Sequence, residues 1–144
     1  MTTADPISPA FALVDSVLTA DATLMALISG VYQDVAPVAT YTKPWVIMQM
    51  QSAPVDTNTA TAIRMLSRGI ITVKIVGKAS DGAAIRSAFV RADALLVPNG
   101  QPRRVGDGNS GDLLDLYRSS TIAYSEYPSG IQYVHLGGQY RYEV

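Results

Sequence analysis

The sequence predicts an α+β fold, in which helices pack on one face of a mainly antiparallel β-sheet. Segments with strand character come in clusters and do not alternate regularly with helical segments. Helical spacing of apolar residues is confined to the first 30 residues and to one later segment. The closing residues alternate in polarity with a period of two, as in a half-buried strand, and one face carries Tyr140, Tyr142 and Val144.

The closing segment is informative because chain ends usually fray unless a sheet holds them. Ile131, Tyr133 and His135 share one side, and the alternation resumes after a break at Gly137-Gly138. We expect this strand to run to the last residue. It belongs either to the sheet of its own subunit or to the sheet of a neighbour.

Length and composition limit the classes of protein. At 144 residues the chain predicts one domain, residues 1–144, with one core. Its 11 basic and 12 acidic residues nearly balance, which argues against a nucleic-acid binder with a basic face and against disorder. Only 16% of residues are charged and 48% are hydrophobic. A chain that covers much of its surface with other subunits needs fewer charges.

Several absences narrow the chemistry further. The chain has no cysteine, which excludes disulfides, thiolate nucleophiles and Cys-ligated zinc. The N-terminus lacks the basic and apolar regions of a secretory signal. No apolar run approaches the roughly 18 residues of a membrane-spanning helix. We therefore expect a soluble protein, made in a cytoplasm, with no membrane partner.

Two short helices are predicted after a loose leader over residues 1–8. Pro9 suits the first turn of a helix with Ser8 as its cap, and apolar residues follow at helical spacing. Asp21 caps the second helix, and Gly30 ends it.

Three strands are predicted next, over residues 31–35, 45–51 and 70–76. The middle one is apolar on both faces, which is typical of a central strand. Residues 52–68 do not alternate cleanly, and their Thr/Ala-rich first half lacks core-forming side chains. We interpret this segment as a long hairpin arm or a flexible loop.

The longest helix is predicted over residues 83–96, with Ser80 or Asp81 as its cap. Its solvent side carries Arg86, Arg91 and Asp93. A second long loop, residues 98–112, follows the helix.

One more strand precedes the closing one. It is predicted over residues 113–127, and a turn at 128–130 joins it to the closing strand as a hairpin. The residues predicted to share one face of this strand are Leu114, Leu116, Ile122 and Tyr124.

Candidate catalytic groups are few. His135 is the only histidine, and Glu126 or Glu143 is close enough in the predicted hairpin to approach it. No Gly-x-Ser-x-Gly elbow accompanies it. A small hydrolase that uses His135 is therefore a remote alternative.

Metal and cofactor sites are not predicted. The segment 107–112 resembles a calcium loop but lacks alternating carboxylates and a distal glutamate. A GxGxxG string over residues 106–111 has no strand before it and no helix after it, so a dinucleotide site is not supported. Arg103 and Arg104 form a small basic spot for a carboxylate on a partner or for DNA.

Tyrosines crowd the last two strands. Two explanations fit them equally well: packing between neighbouring strands, and a protein interface, where tyrosine is favoured. The interface hypothesis gathers residues of the 52–68 arm, the basic spot and the closing strand: Thr57, Thr59, Ile63, Arg64, Met65, Arg103, Arg104, Tyr133, Tyr140 and Tyr142. A second patch is placed on the helix side, near residues 83–97.

The order of elements and several short motifs resemble the tail-terminator, or tail-completion, proteins of long-tailed bacteriophages, a minor tail protein family. The likeness spans nearly the whole chain, except that the Thr/Ala-rich arm departs from the usual pattern. The segments that carry it are 18–32, Ala36-Pro37, Pro44-Trp-Val-Ile47, 70–76, 83–96 and Tyr133-x-His135-x-Gly137-Gly138-x-Tyr140-Arg141.

The resemblance implies a structural protein without enzymatic activity or cofactor. Such a subunit forms a ring, commonly a hexamer, that caps the tail tube, ends its polymerisation and joins the tail to the head connector. The implied partners are further copies of the chain, the tail-tube protein and head–tail connector proteins. The implied location is the head-proximal end of the tail in the virion. The resemblance implies no sequence-specific nucleic-acid binding, only passing contact with DNA in the ring lumen. A head–tail connector or a tail-tube subunit is the alternative.

Overall fold

The structure is a computed structural model, and it describes residues 8–34, 42–58, 64–101, 115–127 and 130–143. Within these residues it contains three α-helices and five strands. The helices are α1 (Ser8–Thr19), α2 (Ala22–Leu27) and α3 (Gly82–Leu96). The strands are β1 (Val31–Gln33), β2 (Trp45–Asn58), β3 (Arg64–Lys78), β4 (Asp115–Glu126) and β5 (Tyr133–Glu143).

The strands form one sheet in the order β1-β2-β3-β5-β4. Only the β1–β2 pair is parallel; the other three pairs are antiparallel. The predicted α+β class with a mainly antiparallel sheet is therefore confirmed. No helix in the described parts of the chain is long and apolar enough to span a bilayer.

The main core lies between the helices and one face of the sheet. Each long helix turns one apolar stripe to the sheet, because residues three or four apart share a side of a helix. The stripes are Ala10, Phe11, Val14 and Leu18 in α1, and Ile85, Ala88, Ala92 and Leu96 in α3. The sheet supplies Val46, Met48, Ile71, Val73, Ile75, Leu116, Tyr140 and Tyr142.

The helix boundaries follow local chemistry. The Asp21 carboxylate accepts a hydrogen bond from the Leu24 amide at 2.8 Å, as the predicted cap should. α2 ends at Leu27, three residues before the predicted stop, and the next residue is already extended. Asp81 occupies the cap position of α3, but its side chain makes no capping hydrogen bond.

Residues 52–58 and 64–68 pair with each other as a hairpin arm and are not a flexible loop. β2 continues to Asn58, and β3 begins at Arg64, which pairs with Asn58. We call residues 52–58 and 64–68 the hairpin arm. Sequence alternation reports burial of one face, whereas pairing of backbone amides needs no such pattern. The strand lengths were therefore underestimated.

The prediction that Leu116, Ile122 and Tyr124 share one face of β4 is wrong. Arg118 pairs with Tyr140 and Ser120 pairs with Gln139, so Ser119 is an extra residue, a β-bulge. Leu116, before the bulge, is buried in the main core. Ile122 and Tyr124, after the bulge, lie on the opposite face of the sheet, and Leu114 is outside the described residues.

β5 runs without the predicted break at Gly137-Gly138. Gly137 is needed for close approach: a Cβ there would collide with the Val73 carbonyl oxygen and lie 2.5 Å from the Lys74 Cα. The glycines therefore allow tight packing of β5 against β3 and do not interrupt the strand.

A second, smaller cluster lies on the other face of the sheet. Trp45 and Val76 are buried there, and the Trp45 and Tyr133 rings meet edge to face with centroids 6.0 Å apart. Of the predicted leader only Ser8 is described, where α1 begins, and of the 98–112 loop only residues 98–101 are described, including a short 3-10 turn.

Candidate assembly surface

The hairpin arm contains three of the ten residues predicted to form an interface. Thr57, Arg64 and Met65 lie on its two strands, whereas Thr59 and Ile63 fall outside the described residues. The arm is a paired ribbon and therefore holds these positions in a defined backbone register. Arg103 and Arg104, the predicted basic spot, also lie outside the described residues.

The arm has neighbours on neither outer side among the described residues. β1 reaches only to Gln33, opposite Met48, so β2 continues beyond it without a strand at that edge. On the other side, β5 follows β3 only as far as the pair Arg68–Glu143. An isolated two-stranded ribbon is marginally stable in water. A further strand or surface against the arm would therefore stabilise it.

β4 forms the other edge of the sheet. It pairs with β5 on one side and with no described strand on the other. From Tyr117 to Tyr127 all residues except the half-buried Ile122 are exposed. Between Arg118 and Glu126 no residue carries a charge, and none is proline. Edges that remain in solvent usually carry lysine, proline or repeated bulges, and this one has a single bulge at its start.

The closing-strand tyrosines divide between core and surface. Tyr140 and Tyr142, predicted at an interface, are each 1% exposed and pack in the main core. They offer no area to a neighbouring subunit, because alternation in β5 turns them toward the helices. Tyr133 is half-buried in the second cluster. Among the described residues the exposed tyrosines are Tyr117, Tyr124 and Tyr127, on β4 and just beyond it.

Asp93 ties α3 to the sheet. Its Oδ1 accepts a hydrogen bond from the Tyr140 hydroxyl at 2.7 Å, and its Oδ2 accepts one from the Arg118 guanidinium at 2.6 Å. Burial and the neighbouring Asp93 carboxylate raise the pKa of Tyr140 well above its ordinary value. The prediction that Asp93 lies on the solvent side of α3 missed these contacts, since both partners are distant in sequence.

Arg91 makes a second tie on the same helix. Its guanidinium donates to both Asp21 carboxylate oxygens, at 2.9 and 2.6 Å, and so joins α3 to the start of α2. The hydrogen bond from Arg91, with that from the Leu24 amide, lowers the pKa of Asp21 from 3.8 to about 2. Arg91 and Asp93 thus join α3 both to the start of α2 and to the sheet.

His135 is buried on the second face of the sheet. Its Nε2 lies 2.7 Å from Glu126 Oε1, so one of the two predicted acidic partners is in contact. The Tyr124 ring stacks on the imidazole with centroids 4.3 Å apart, and Lys74 donates to the Tyr124 hydroxyl at 2.9 Å. Burial lowers the pKa of His135 below its ordinary value, and Glu126 opposes this shift.

This arrangement does not build a nucleophile. One imidazole nitrogen faces Glu126, and the other, Nδ1, is buried without a hydrogen-bond partner in the described structure. Among the described residues, no hydrogen bond joins either imidazole nitrogen of His135 to a serine or threonine hydroxyl. The described residues also contain no group of three His, Asp or Glu side chains able to hold a metal ion. The 106–111 and 107–112 motifs lie outside them.

Comparisons with known proteins agree with the fold. No family model matches the sequence, and no curated protein matches it. A chain in the virion of a native gene transfer agent particle has the same fold, with a TM-score of 0.62 and 20% identity over 91% of this chain and 92% of that one. A second solved structure has a TM-score of 0.57 and 15% identity over 94% of each chain. The α+β architecture with its sheet and three helices is thus one that a virion protein also adopts.

Proposed function

We propose that this protein is a structural subunit of a phage-type virion, and that within it the protein acts as a tail terminator. The observation that carries the proposal is the likeness to the gene transfer agent virion chain, which covers about nine-tenths of both chains. The sequence resemblance to tail-terminator proteins supplies the finer position. We take residues 1–144 as one domain.

The surface of the subunit supports assembly as its mode of action. The charged fraction of the chain is low, at 16%, and two separate sheet edges lie free among the described residues. A closed ring needs two different patches on each subunit, so that each copy contacts the next head to tail. The hairpin arm is the first such patch. By contrast, the apolar stripe of α3 is occupied by the core of its own subunit.

In this proposal copies of the chain form a ring, commonly of six subunits, at the head-proximal end of the tail. The ring binds the last layer of tail-tube protein, ends tube growth and presents its other side to head–tail connector proteins. It needs no cofactor and no catalytic step, and DNA passes through its lumen without sequence readout.

Negative-stain electron microscopy and mass photometry of the purified protein test the proposal. We expect closed rings of uniform diameter, and a mass that is a fixed multiple of 15.4 kDa. A variant lacking residues 55–66 should remain folded by circular dichroism but monomeric, because the arm is removed without touching the main core. Rings of the deletion variant with the same number of subunits as the unmodified protein would refute the role of the arm.

A head–tail connector or a tail-tube subunit is the second candidate, since a virion location is common to all three. A tube subunit polymerises into long tubes, whereas a terminator ends the growth of the tube. Long tubes grown from purified protein alone would therefore favour the tube subunit. Shortening of tubes by added protein, when tail-tube protein assembles in its presence, would favour the terminator.

A further inference from the structure

We infer that the outer edge of β4 is the docking site for the hairpin arm of a second copy of this chain. The arm would add its β2 strand to β4 and so continue the sheet from one subunit into the next. This inference deepens the proposed function and rests on it. It replaces the helix side near residues 83–97 with a sheet edge as the second patch of the ring contact.

The outer edge of β4 is open to pairing in the described structure. Residues 117–127 are exposed along almost their whole length, and the backbone of this edge strand pairs with no described strand on its outer side. The uncharged run 119–125 lacks the lysines and prolines that keep solvent-facing edges from pairing. A strand-shaped partner would satisfy the free amides and carbonyls of the edge.

The chain itself carries a strand whose free edge matches that of β4 in length. β1 covers β2 only as far as Met48, so residues 49–58 of β2 have a free outer edge in the described structure. The free run of β4 over residues 117–126 is equally long. Pro54 lies within the β2 run and costs the intersubunit ladder one donor, as proline at an edge does.

The strand order of the sheet gives β2 and β4 the directions that antiparallel pairing between subunits requires. β2 and β4 lie at or next to opposite ends of the strand order and run antiparallel to each other, because three successive antiparallel pairings separate them. Copies placed side by side with their helices on the same face, and displaced along the strands so that the arm passes β1, would therefore bring β4 of one antiparallel to the free run of β2 of the next. Each copy then gives an arm on one side and accepts one on the other, as a closed ring requires.

A matched pair of lysine substitutions tests the edge. Ala123 is exposed on β4, and Ala83 is exposed on α3, on the patch that the inference abandons. A lysine at position 123 would place a charge in the intersubunit sheet. We expect Ala123→Lys to require at least roughly tenfold more protein to form rings. Ala83→Lys should assemble like the unmodified chain, and both variants should keep its circular dichroism spectrum.

The outcomes distinguish failure of the edge inference from failure of the proposed function. If the unmodified protein forms rings and Ala123→Lys forms them equally well, the edge inference is wrong and the proposed function stands. If the unmodified protein stays monomeric at high concentration, both are wrong. If Ala83→Lys alone disrupts the rings, the helix side is the second patch instead.

Cysteine cross-linking identifies the occupant directly, because the chain has no cysteine of its own. We would mix Ala123→Cys protein with Ser52→Cys protein, because antiparallel alignment of residues 117–126 with residues 49–58 places these two positions opposite each other, and oxidise the assembled sample. A disulfide between the two different chains is expected, whereas Val90→Cys, exposed on α3, should give none with Ser52→Cys. Cross-links only between two Ala123→Cys chains would mean edge-to-edge pairing of β4, and that result would overturn the arm as occupant.

Discussion

The Tyr140 hydroxyl donates a hydrogen bond to the Asp93 carboxylate at 2.7 Å, and so fixes the last strand of the sheet to the longest helix. Tyr140 is 1% exposed, and Asp93 also accepts from Arg118. Replacing Tyr140 by phenylalanine removes the donor and keeps the ring. We expect a loss of about 1.5–3 kcal/mol in the free energy of unfolding, the usual value for a hydrogen bond to a charged group.

Urea denaturation measures this difference. Tyr127→Phe is the matched control, because Tyr127 is 67% exposed. A Tyr140→Phe midpoint equal to that of the control would show that the hydroxyl contributes nothing to stability.

Gly137→Ala should be strongly destabilising. The added Cβ would collide with the Val73 carbonyl oxygen and the Lys74 Cα, both of which are backbone and cannot rotate away. We expect a loss of about 3 kcal/mol or more, beyond ordinary overpacking of a core. Thermal unfolding followed by circular dichroism is the measurement.

Gly82→Ala provides the control for that experiment. Gly82 has helical angles at the start of α3, and a Cβ there would meet only the end of the Arg86 side chain at 3.4 Å. We expect a change between zero and roughly 1 kcal/mol in the stabilising direction, from the higher helix propensity of alanine. Equal effects of the two substitutions would contradict the close approach at Gly137.

The ion pair between Asp21 and Arg91 should make stability depend on pH in the acid range. The pKa of the Asp21 carboxyl is about 2 in the folded state and 3.8 in the unfolded chain. The contribution of the ion pair to stability is therefore complete above pH 3.8 and is lost as the pH falls toward 2. Asp21→Asn should therefore lower the urea midpoint at neutral pH, and the gap from the unmodified chain should close at the acid end.

Asp15→Asn is the comparison, since Asp15 is exposed on α1 and no described residue forms an ion pair with it. Its midpoint should follow that of the unmodified chain across the same range. A gap for Asp21→Asn that stayed constant between pH 5 and pH 2.5 would argue against the charged pair.

His135 is the only histidine, so its titration is read directly from a single Hε1 proton resonance in NMR spectra. Burial lowers its pKa, and the midpoint should lie below the ordinary value of 6.5. Glu126→Gln should lower the pKa further, because the carboxylate favours the protonated ring. Lys74→Met should raise it, because the nearby ammonium disfavours that form.

The titration of His135 also makes the free energy of unfolding depend on pH, with a definite sign. Since the folded state binds the proton more weakly than the unfolded chain, the contribution is present above pH 6.5 and is lost as the pH falls below it. Opposite shifts in the two variants are the decisive readout. A midpoint above 6.5 in the unmodified chain would overturn this account of His135.

The sequence was sufficient for the fold class and the helices, because both rest on periodic apolar patterns. The stripe of α3 and the cap at Asp21 lie where the spacing predicted them. The pairing of the hairpin arm was left undecided, since a ladder of backbone hydrogen bonds leaves no mark on a polar Thr/Ala-rich stretch. The end of α2 was misplaced by three residues, because Ile28 continues the apolar pattern in an extended conformation.

Contacts between distant segments were the least predictable part of the candidate site. Burial of Tyr140 and Tyr142 depends on which side of β5 meets the helices, and the alternation alone is the same for either side. The ties from Arg91 and Asp93 reach partners far away in the chain. The extra residue in β4 is defined only relative to β5, so the uncharged run 119–125 gave no sign of it.

That extra residue can be lost without reversing the strand. After deletion of the Ser119 codon, the pairs Arg118–Tyr140 and Ser120–Gln139 would follow one another directly, so Ile122 and Tyr124 would keep their present partners and their present side of the sheet. The β2–β3 ladder likewise accommodates three offsets between its strands. We therefore expect naturally occurring one-residue deletions to be tolerated at position 119 as well as in the arm, whereas an insertion elsewhere in β4 would need a second bulge to keep the residues beyond it on their present side.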